Sequence, residues 1–260
     1  MPAPHHGIRV TAPPLSLADH CRALRPALRS GERFSHTTAA ALHGLRMPER
    51  FVARDLHVTS VSPMRAMERP GIAGHSSRTS MFVVVDGVPL SPPVDAWLEC
   101  SELLERDDLV VMGDGLLSRR RAVSTLEQLQ LAVDSRRGRR GYRALRSALP
   151  DLRPRTDSAR ETLLRLWVIR WGFPEPEVNG EIRNRYGALL GHGDLVFRTQ
   201  KVVLEYEGRQ HLESRQFAID IDRLDLIMEE GWRVIRVDKV LFADPHRLQR
   251  KIAAALSRSS

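Results

Sequence analysis

Alternating and helical patterns of apolar residues are clearest in the C-terminal part of the chain. Apolar residues recur at helical spacing in three segments and alternate with polar residues in four others. The predicted elements are a helix over 158–171, strands over 177–183, 194–198 and 201–207, an amphipathic helix over 217–230, a strand over 233–237 and a helix over 245–256. On the amphipathic helix, Phe217, Ile221, Leu224 and Met228 form one apolar stripe. A mixed sheet flanked by helices is the natural arrangement for this α-β-β-β-α-β-α order.

The first half of the chain has a weaker pattern, which predicts a smaller α+β domain over residues 31–117. Residues 1–30 are expected to be a loose arm followed by a short helix. The predicted elements that follow are a helix over 38–42, strands over 55–61, 72–75 and 81–85, and a helix that opens at Ser91-Pro92-Pro93. Asp86-Gly87 is a strong hairpin turn signal. Residues 118–155 are predicted to be a basic helical linker and residues 156–260 a second domain, so the fold class is α+β or α/β.

Composition excludes several classes of protein. The chain is 42% apolar and can bury a core, but its longest apolar run, 81–85, is far too short to span a bilayer. No signal-peptide pattern opens the sequence, and we expect a cytoplasmic protein with no membrane partner. Cys21 and Cys100 form no spaced cluster and are expected to be buried or neutral thiols. The histidines at 36, 43, 57 and 75 lack metal-binding spacing and are expected to be ordinary surface or core residues.

Positive charge is concentrated in the predicted linker. Residues 118–155 hold eleven arginines and three acids, so this segment accounts for the whole net charge of +8. Such a stripe is typical of a surface that binds phosphates, although a solvated helical linker has the same composition. The candidate nucleic-acid-binding residues within it are Arg119, Arg120, Arg121, Arg136, Arg137, Arg139 and Arg140.

Acidic residues cluster on one face of the predicted strands. Strand alternation puts Glu205 and Glu207 on one face of 201–207, about 7 Å apart. Asp194 has the corresponding face of the preceding strand, and a hairpin at Thr199-Gln200 would bring the three carboxylates together. Such like charges are costly unless a cation lies among them, and a hard divalent cation with oxygen ligands fits best. Mg²⁺ or Mn²⁺ is therefore the expected cofactor, although the two glutamates could also face solvent on an edge strand.

Two further residues are candidates for the same site. His211 follows Gly208, where the chain can turn sharply and return the imidazole toward the carboxylates as a proton carrier. Glu161 fits a capping box that begins at Ser158, which is a structural role. It would also serve the acidic cluster if the first helix lay close enough, and the sequence leaves the two roles open.

Several motifs, in order, resemble the PD-(D/E)XK nuclease superfamily, and most closely its branch related to the very-short-patch mismatch repair endonucleases. The motifs are Glu161 on the leading helix, "GDLVF", "VVLEYEG", His211 and "DIDRLDLIMEEGWRVIRV". The resemblance covers about residues 157–257 and implies a restriction-endonuclease-like fold that hydrolyses nucleic-acid phosphodiesters. It implies Asp194 and Glu205 as metal ligands, Glu161 and His211 as supporting residues, and Asp220 with Arg223 as a polar pair. Arg223 is also a candidate nucleic-acid-binding residue.

One position departs from that pattern. Glu207 stands where the superfamily usually has lysine, so it cannot supply the same positive charge. Glu207 would be a further metal ligand assisted by His211 or Arg223, or else the site binds nucleic acid without cutting it. In the first half, "FSHTTAAALHGL" and "VPLSPPVDAWLEC" resemble antitoxin-type (AbiEi-like) regulators, which implies a winged-helix-like DNA-binding domain.

Three hypotheses follow from the sequence. The first is a metal-dependent endonuclease, with DNA as the expected substrate. The second is an antitoxin-like DNA-binding regulator whose nuclease-like domain is inactive. The third is an interaction protein whose charge pattern is only a solvated surface.

Overall fold

The computed structural model describes residue 4 and residues 7–49, 55–207 and 223–257. The chain forms two compact units. The first comprises Met1–Leu117 and Arg121–Leu152, and the second comprises Ser118–Arg120 and Arg153–Ser260. Both units combine helices with a mixed sheet, which confirms the α+β composition expected from the sequence. Among the described residues, no helix combines the length and apolar character that crossing a bilayer requires.

The first unit is built on a five-stranded sheet in the order β3-β2-β1-β5-β4. Its strands are β1 (Arg33–Phe34), β2 (Leu56–Val61), β3 (Ile72–Ser77), β4 (Val83–Val85) and β5 (Val88–Leu90). Its helices are α1 (Leu17–Leu24), α2 (His36–Leu42), α3 (Pro93–Cys100), α4 (Arg106–Leu116), α5 (Leu126–Asp134) and α6 (Tyr142–Ala148). The hairpin between β4 and β5 turns at Asp86 and Gly87, both at positive φ, as predicted.

Residues 121–152 differ from the predicted linker, because they pack as part of the first unit. Leu129 and Val133 lie one turn apart on α5 and are fully buried, as is Leu145 on α6. The arginines at 136–140 lie between the two helices. Their charge made the whole segment resemble a solvated linker, although each helix has an apolar face. Cys21 and Cys100 are free and buried, as expected, and burial raises the pKa of the Cys21 thiol to about 12.

The second unit is built on a four-stranded sheet in the order β6-β7-β8-β9. The strands are β6 (Glu177–Arg183), β7 (Leu189–Phe197), β8 (Val202–Tyr206) and β9 (Arg233–Val237). The helices are α7 (Ala159–Arg170), α8 (described over 223–229), α9 (Lys239–Phe242) and α10 (Pro245–Leu256). The first three strands are antiparallel in sequence order, and β9 runs parallel to β8.

The second sheet has two buried faces because its central strands alternate as the sequence predicts. Leu195 and Leu204 are paired across β7 and β8 and belong to a core that includes α7 and α10. Val196 and Val203 are paired on the opposite face and pack with Ile227 of α8. The acids of β7 and β8 therefore share their face with α8.

The apolar stripe predicted for the amphipathic helix is partly wrong. Leu224 is buried as expected, but Met228 is 47% exposed and Ile227 is fully buried instead. Phe217 and Ile221 lie outside the described residues. A helix face depends on the rotational phase of the helix, and Ile227 and Met228 are adjacent apolar residues, so a small rotation decides which of them is buried. The short helix α9, begun by the Asp238 cap, was also missed.

Candidate functional site

Asp194 and Glu205 come together at the end of the β7–β8 pair. The strand register pairs Leu195 with Leu204, so the next step along both strands puts Asp194 beside Glu205. The Asp194 carboxylate accepts a hydrogen bond from the backbone N–H of Tyr206 at 2.7 Å, which fixes it against β8. The predicted convergence of these two carboxylates is therefore present in the structure.

The Asp194 carboxyl is in an environment that disfavours its charge. Burial is the largest cause that raises its pKa well above the ordinary value, and the negative charges of Glu205 and Glu161 raise it further. The Tyr206 N–H and the charge of Arg223 oppose these effects without cancelling them. Three carboxylates therefore act on one another at this end of the sheet, and a positive ion among them would relieve the repulsion.

Glu161 combines the two roles that the sequence left open. Ser158 begins α7, and its hydroxyl accepts a hydrogen bond from the backbone N–H of Glu161 at 3.2 Å. The Glu161 carboxylate accepts a hydrogen bond from the backbone N–H of Asp157 at 2.8 Å, one residue before the position expected in a capping box. Its side chain is buried and close enough to raise the pKa of Asp194. Glu161 thus stabilises the start of α7 and belongs to the acidic cluster.

Arg223 brings a positive charge to the cluster from α8. Its Nη1 lies 3.4 Å from Oε1 of Glu205 and donates a hydrogen bond to the backbone oxygen of His192 at 2.5 Å. Gly191 leaves room for this side chain, because a Cβ there would lie 2.9 Å from Cδ of Arg223. The guanidinium is therefore held between β7 and the carboxylate of Glu205.

Glu207 has a different environment from the other acids. It follows β8 and forms a close ion pair with Arg236 of β9, and both side chains are more than a third exposed. The parallel register pairs Glu205 with Arg236, so this arginine belongs to the same face as the acids. Arg236 was not predicted from the sequence, because its position depends on which strand neighbours β8. Lys201 is far from this end, in the turn that precedes β8.

Two candidates lie in the part of the chain that the structure does not describe. His211 and Asp220 fall within residues 208–222, so their roles stay predictions.

The predicted arginine stripe is divided between the two units. Arg119 and Arg120 belong to the second unit, where they contact the Asp157 carboxylate at 2.8 and 3.5 Å. Because Asp157 also donates its N–H to Glu161, these arginines lie near the acidic cluster. The other candidates, Arg121, Arg136, Arg137, Arg139 and Arg140, belong to the first unit. Of these, Arg136 is half-buried and contacts Glu102 at 3.2 Å.

Three of the histidines that were expected to be ordinary surface or core residues lie close together in the first unit. His36, His57 and His75 offer ring nitrogens that all lie within 4.8 Å of one another. The strand pairing explains this: β2 and β3 are parallel neighbours, and His36 lies two residues after the end of β1, which pairs with β2. Spacing along the sequence gave no signal, since each histidine comes from a different segment. His43 lies outside the cluster and contacts the backbone oxygen of Ser91.

Two relatives in Mycobacterium tuberculosis are similar to this chain over most of its length. They are uncharacterized proteins from strains CDC 1551 / Oshkosh and H37Rv, each 29% identical over 225 residues. The alignments cover 85% of this chain and 80% of each relative, so both units are included. No protein-family model matches the chain. No solved structure matches it either.

Proposed function

We propose that the second unit is a divalent-metal-dependent endonuclease that hydrolyses phosphodiester bonds of nucleic acid, with DNA as its substrate. The observation that carries this proposal is the carboxylate of Asp194, whose pKa is raised by burial and by the charges of Glu205 and Glu161. The order of the elements and the motifs on them support a restriction-endonuclease-like arrangement. The basic residues near Glu161 favour a polyanionic substrate.

The donor set fits Mg²⁺ or Mn²⁺. Asp194 and Glu205 would hold the ion through carboxylate oxygens, which are the ligands that hard divalent cations prefer. When bound, such an ion makes a water molecule more acidic and neutralises charge on the phosphate. Glu161 adds negative charge to the cluster and anchors the start of α7.

Positively charged residues of this chain would complete the site. Arg223 is held beside Glu205, where its guanidinium can bind a phosphate oxygen. Arg236 stands on the same face, one strand away, and contacts Glu207. We infer that Arg223 and Arg236 together supply the positive charge that lysine gives elsewhere in the superfamily. His211 stays a predicted proton carrier.

A second function, an antitoxin-like DNA-binding regulator without nuclease activity, is favoured by the same arginines. Arg223 and Arg236 already contact Glu205 and Glu207, so part of the acidic charge is neutralised by the protein itself. In that case the basic residues bind DNA and the acids serve the fold. The two functions differ in a single property, which is metal-dependent cleavage.

Nicking of supercoiled plasmid by the pure full-length protein tests the proposal. We expect cleavage in Mg²⁺ or Mn²⁺ and none in EDTA. The rate of nicking should fall at least ~100-fold in Asp194→Asn and in Glu205→Gln, because each substitution removes a metal ligand. Glu181→Gln is the matched control: Glu181 is exposed on β6 and pairs with Arg183. It should cleave as the unmodified chain does.

Two results would contradict the endonuclease. Equal nicking by all variants would assign the activity to a contaminant. Salt-sensitive DNA binding without cleavage in either metal would favour the regulator instead.

A further inference from the structure

Three imidazoles of the first unit meet on one side of its sheet. The rings are stacked, with centroids 3.7 Å apart for His36 and His75 and 5.1 Å apart for His57 and His75. Nδ1 of His57 and Nε2 of His75 face each other at 2.9 Å. Only one of these two nitrogens can carry the hydrogen between them, so the other presents a lone pair. A metal ion that replaced this hydrogen would be bound by both.

The separations suit a metal ion after a small adjustment of the rings. Zinc binds imidazole nitrogens at about 2.0–2.1 Å, which puts two tetrahedral ligands about 3.3 Å apart. The facing pair is a few tenths of an ångström closer than that, and every nitrogen of the set lies within 4.8 Å of the others. Binding would also turn the stacked rings, so that the lone pairs in their planes point at the ion.

The surroundings keep these rings in the form that binds metals. Burial lowers the pKa of His36 to about 2 and that of His57 to about 4, and it lowers the pKa of His75 as well. All three imidazoles are therefore neutral at physiological pH, with lone pairs available.

His36 is oriented by neighbours of the kind that support metal ligands. Its Nδ1 is hydrogen-bonded to Oγ of Ser35 at 2.9 Å and lies 4.0 Å from Oε2 of Glu99. Glu99 is buried and also accepts the backbone N–H of His36 at 3.0 Å. His36 adopts a left-handed backbone conformation, with φ of 49°, which is uncommon for a residue other than glycine. Since Nδ1 is engaged, Nε2 would be the nitrogen that a metal takes.

A pocket of about 470 Å³ opens beside the histidines. His36 and His75 line it together with Arg78, Arg136 and Arg139. Glu99 and Glu102 contribute acidic groups to the same wall. A metal with three protein ligands keeps a position for an external ligand, and the arginines favour an oxyanion there.

We propose that His36, His57 and His75 form a site for a transition-metal ion such as Zn²⁺, with one coordination position open to this pocket. Imidazole is a ligand for Zn²⁺, Ni²⁺, Cu²⁺ and Fe²⁺ and suits Mg²⁺ poorly. The site is therefore distinct in chemistry from the carboxylate cluster of the second unit, and it does not depend on the proposed nuclease.

Metal binding by the full-length protein, stripped with a chelator, tests this site. Titration with Zn²⁺ against a coloured chelator should show about one tightly bound ion per chain. His57→Gln and His75→Gln should each weaken Zn²⁺ binding by more than ~100-fold. Loss of a residue that only orients a metal ligand costs ~10–100-fold in affinity, and loss of the ligand itself should cost more. His246→Gln, at an exposed position of α10, is a control that should bind as the unmodified chain does.

A second measurement keeps the test valid if the histidine variants fail to fold. Zn²⁺ should raise the melting temperature of the unmodified chain, because it binds only the folded state. Bound Co²⁺ should give the visible absorption of a tetrahedral ion. Absence of both effects would overturn the proposal, as would tight Zn²⁺ binding that is lost in Asp194→Asn and kept in His57→Gln.

Discussion

Single residues of the acidic cluster were predictable where strand alternation alone decides their direction. Asp194 and Glu205 were placed on one face from the sequence, and the register of β7 and β8 brings them together. Arg236 was not predictable, because it reaches Glu207 only through the pairing of β9 with β8. The charge balance of the site therefore depends on a contact between residues that lie far apart along the chain.

Asp194→Asn is expected to stabilise the protein at neutral pH in the absence of divalent ions. The pKa of Asp194 is raised in the fold, so ionisation of this carboxyl lowers the free energy of unfolding. That cost is absent below the ordinary value of 3.8 and grows as pH rises through the raised pKa. Asparagine avoids it and can still accept the Tyr206 N–H. The melting temperature should rise by ~2–4 °C at pH 7 and not at pH 3. An unchanged melting temperature at pH 7 would contradict the raised pKa.

Glu207→Gln is expected to cleave at a rate within about threefold of that of the unmodified chain. This change is smaller than tenfold, which corresponds to ~1.4 kcal/mol of activation free energy. Arg236 already balances the charge of Glu207, and both side chains are partly exposed. Glu205→Gln should instead lose at least ~100-fold. Rates of plasmid nicking under identical metal concentrations measure the difference. If both variants lose activity equally, Glu207 is a metal ligand.

Elements of the second unit were predicted more fully than those of the first. The strand 177–183 and the final helix agree with β6 and α10 at both ends, because alternation and helical spacing are uninterrupted there. The packing of α5 and α6 against the first unit was not predicted. An apolar helix face is visible in the sequence, but the residues that cover it come from other parts of the chain. The face of α8 was misjudged at Met228, because the neighbouring apolar residue Ile227 is the one that is buried.

Gly193→Ala and Gly191→Ala are expected to destabilise the protein by different amounts. The first disturbs the packing of the sheet, and the second moves the side chain of Arg223. A Cβ at Gly193 would lie 2.5 Å from Cγ1 of Val203, inside the core between β7 and α8. That substitution should cost ~1–3 kcal/mol of stability. The three atoms nearest to a Cβ at Gly191 all belong to the flexible side chain of Arg223, so this substitution should cost less and displace the arginine from Glu205. Chemical denaturation measures both, and equal costs would contradict the described packing.

On the scale of the whole molecule, the histidine cluster shows what sequence spacing cannot reveal. His36, His57 and His75 come from three segments that meet only because β1, β2 and β3 are neighbours. The same holds for the arginine stripe, which is continuous in sequence but divided between two units. The composition of residues 118–155 predicted a basic segment, but it gave no information on which arginines belong to which unit.

Substitution of exposed arginines is expected to change the salt dependence of DNA binding. Arg137 and Arg139 are exposed in the first unit, and each phosphate contact that is lost should reduce the slope of log K against log salt by about 1. Arg198→Ala is the control, because Arg198 is paired with Glu177. Its slope should equal that of the unmodified chain. Unchanged slopes for Arg137→Ala and Arg139→Ala would exclude them from the DNA-binding surface.

The position of bound Mn²⁺ decides whether the carboxylates form a metal site. In crystals soaked with Mn²⁺, we expect an anomalous difference peak within coordination distance of the carboxylates of Asp194 and Glu205, and its loss in crystals of Glu205→Gln. No peak there, with the Glu205 carboxylate still paired to Arg223 at millimolar Mn²⁺, would contradict the proposed endonuclease.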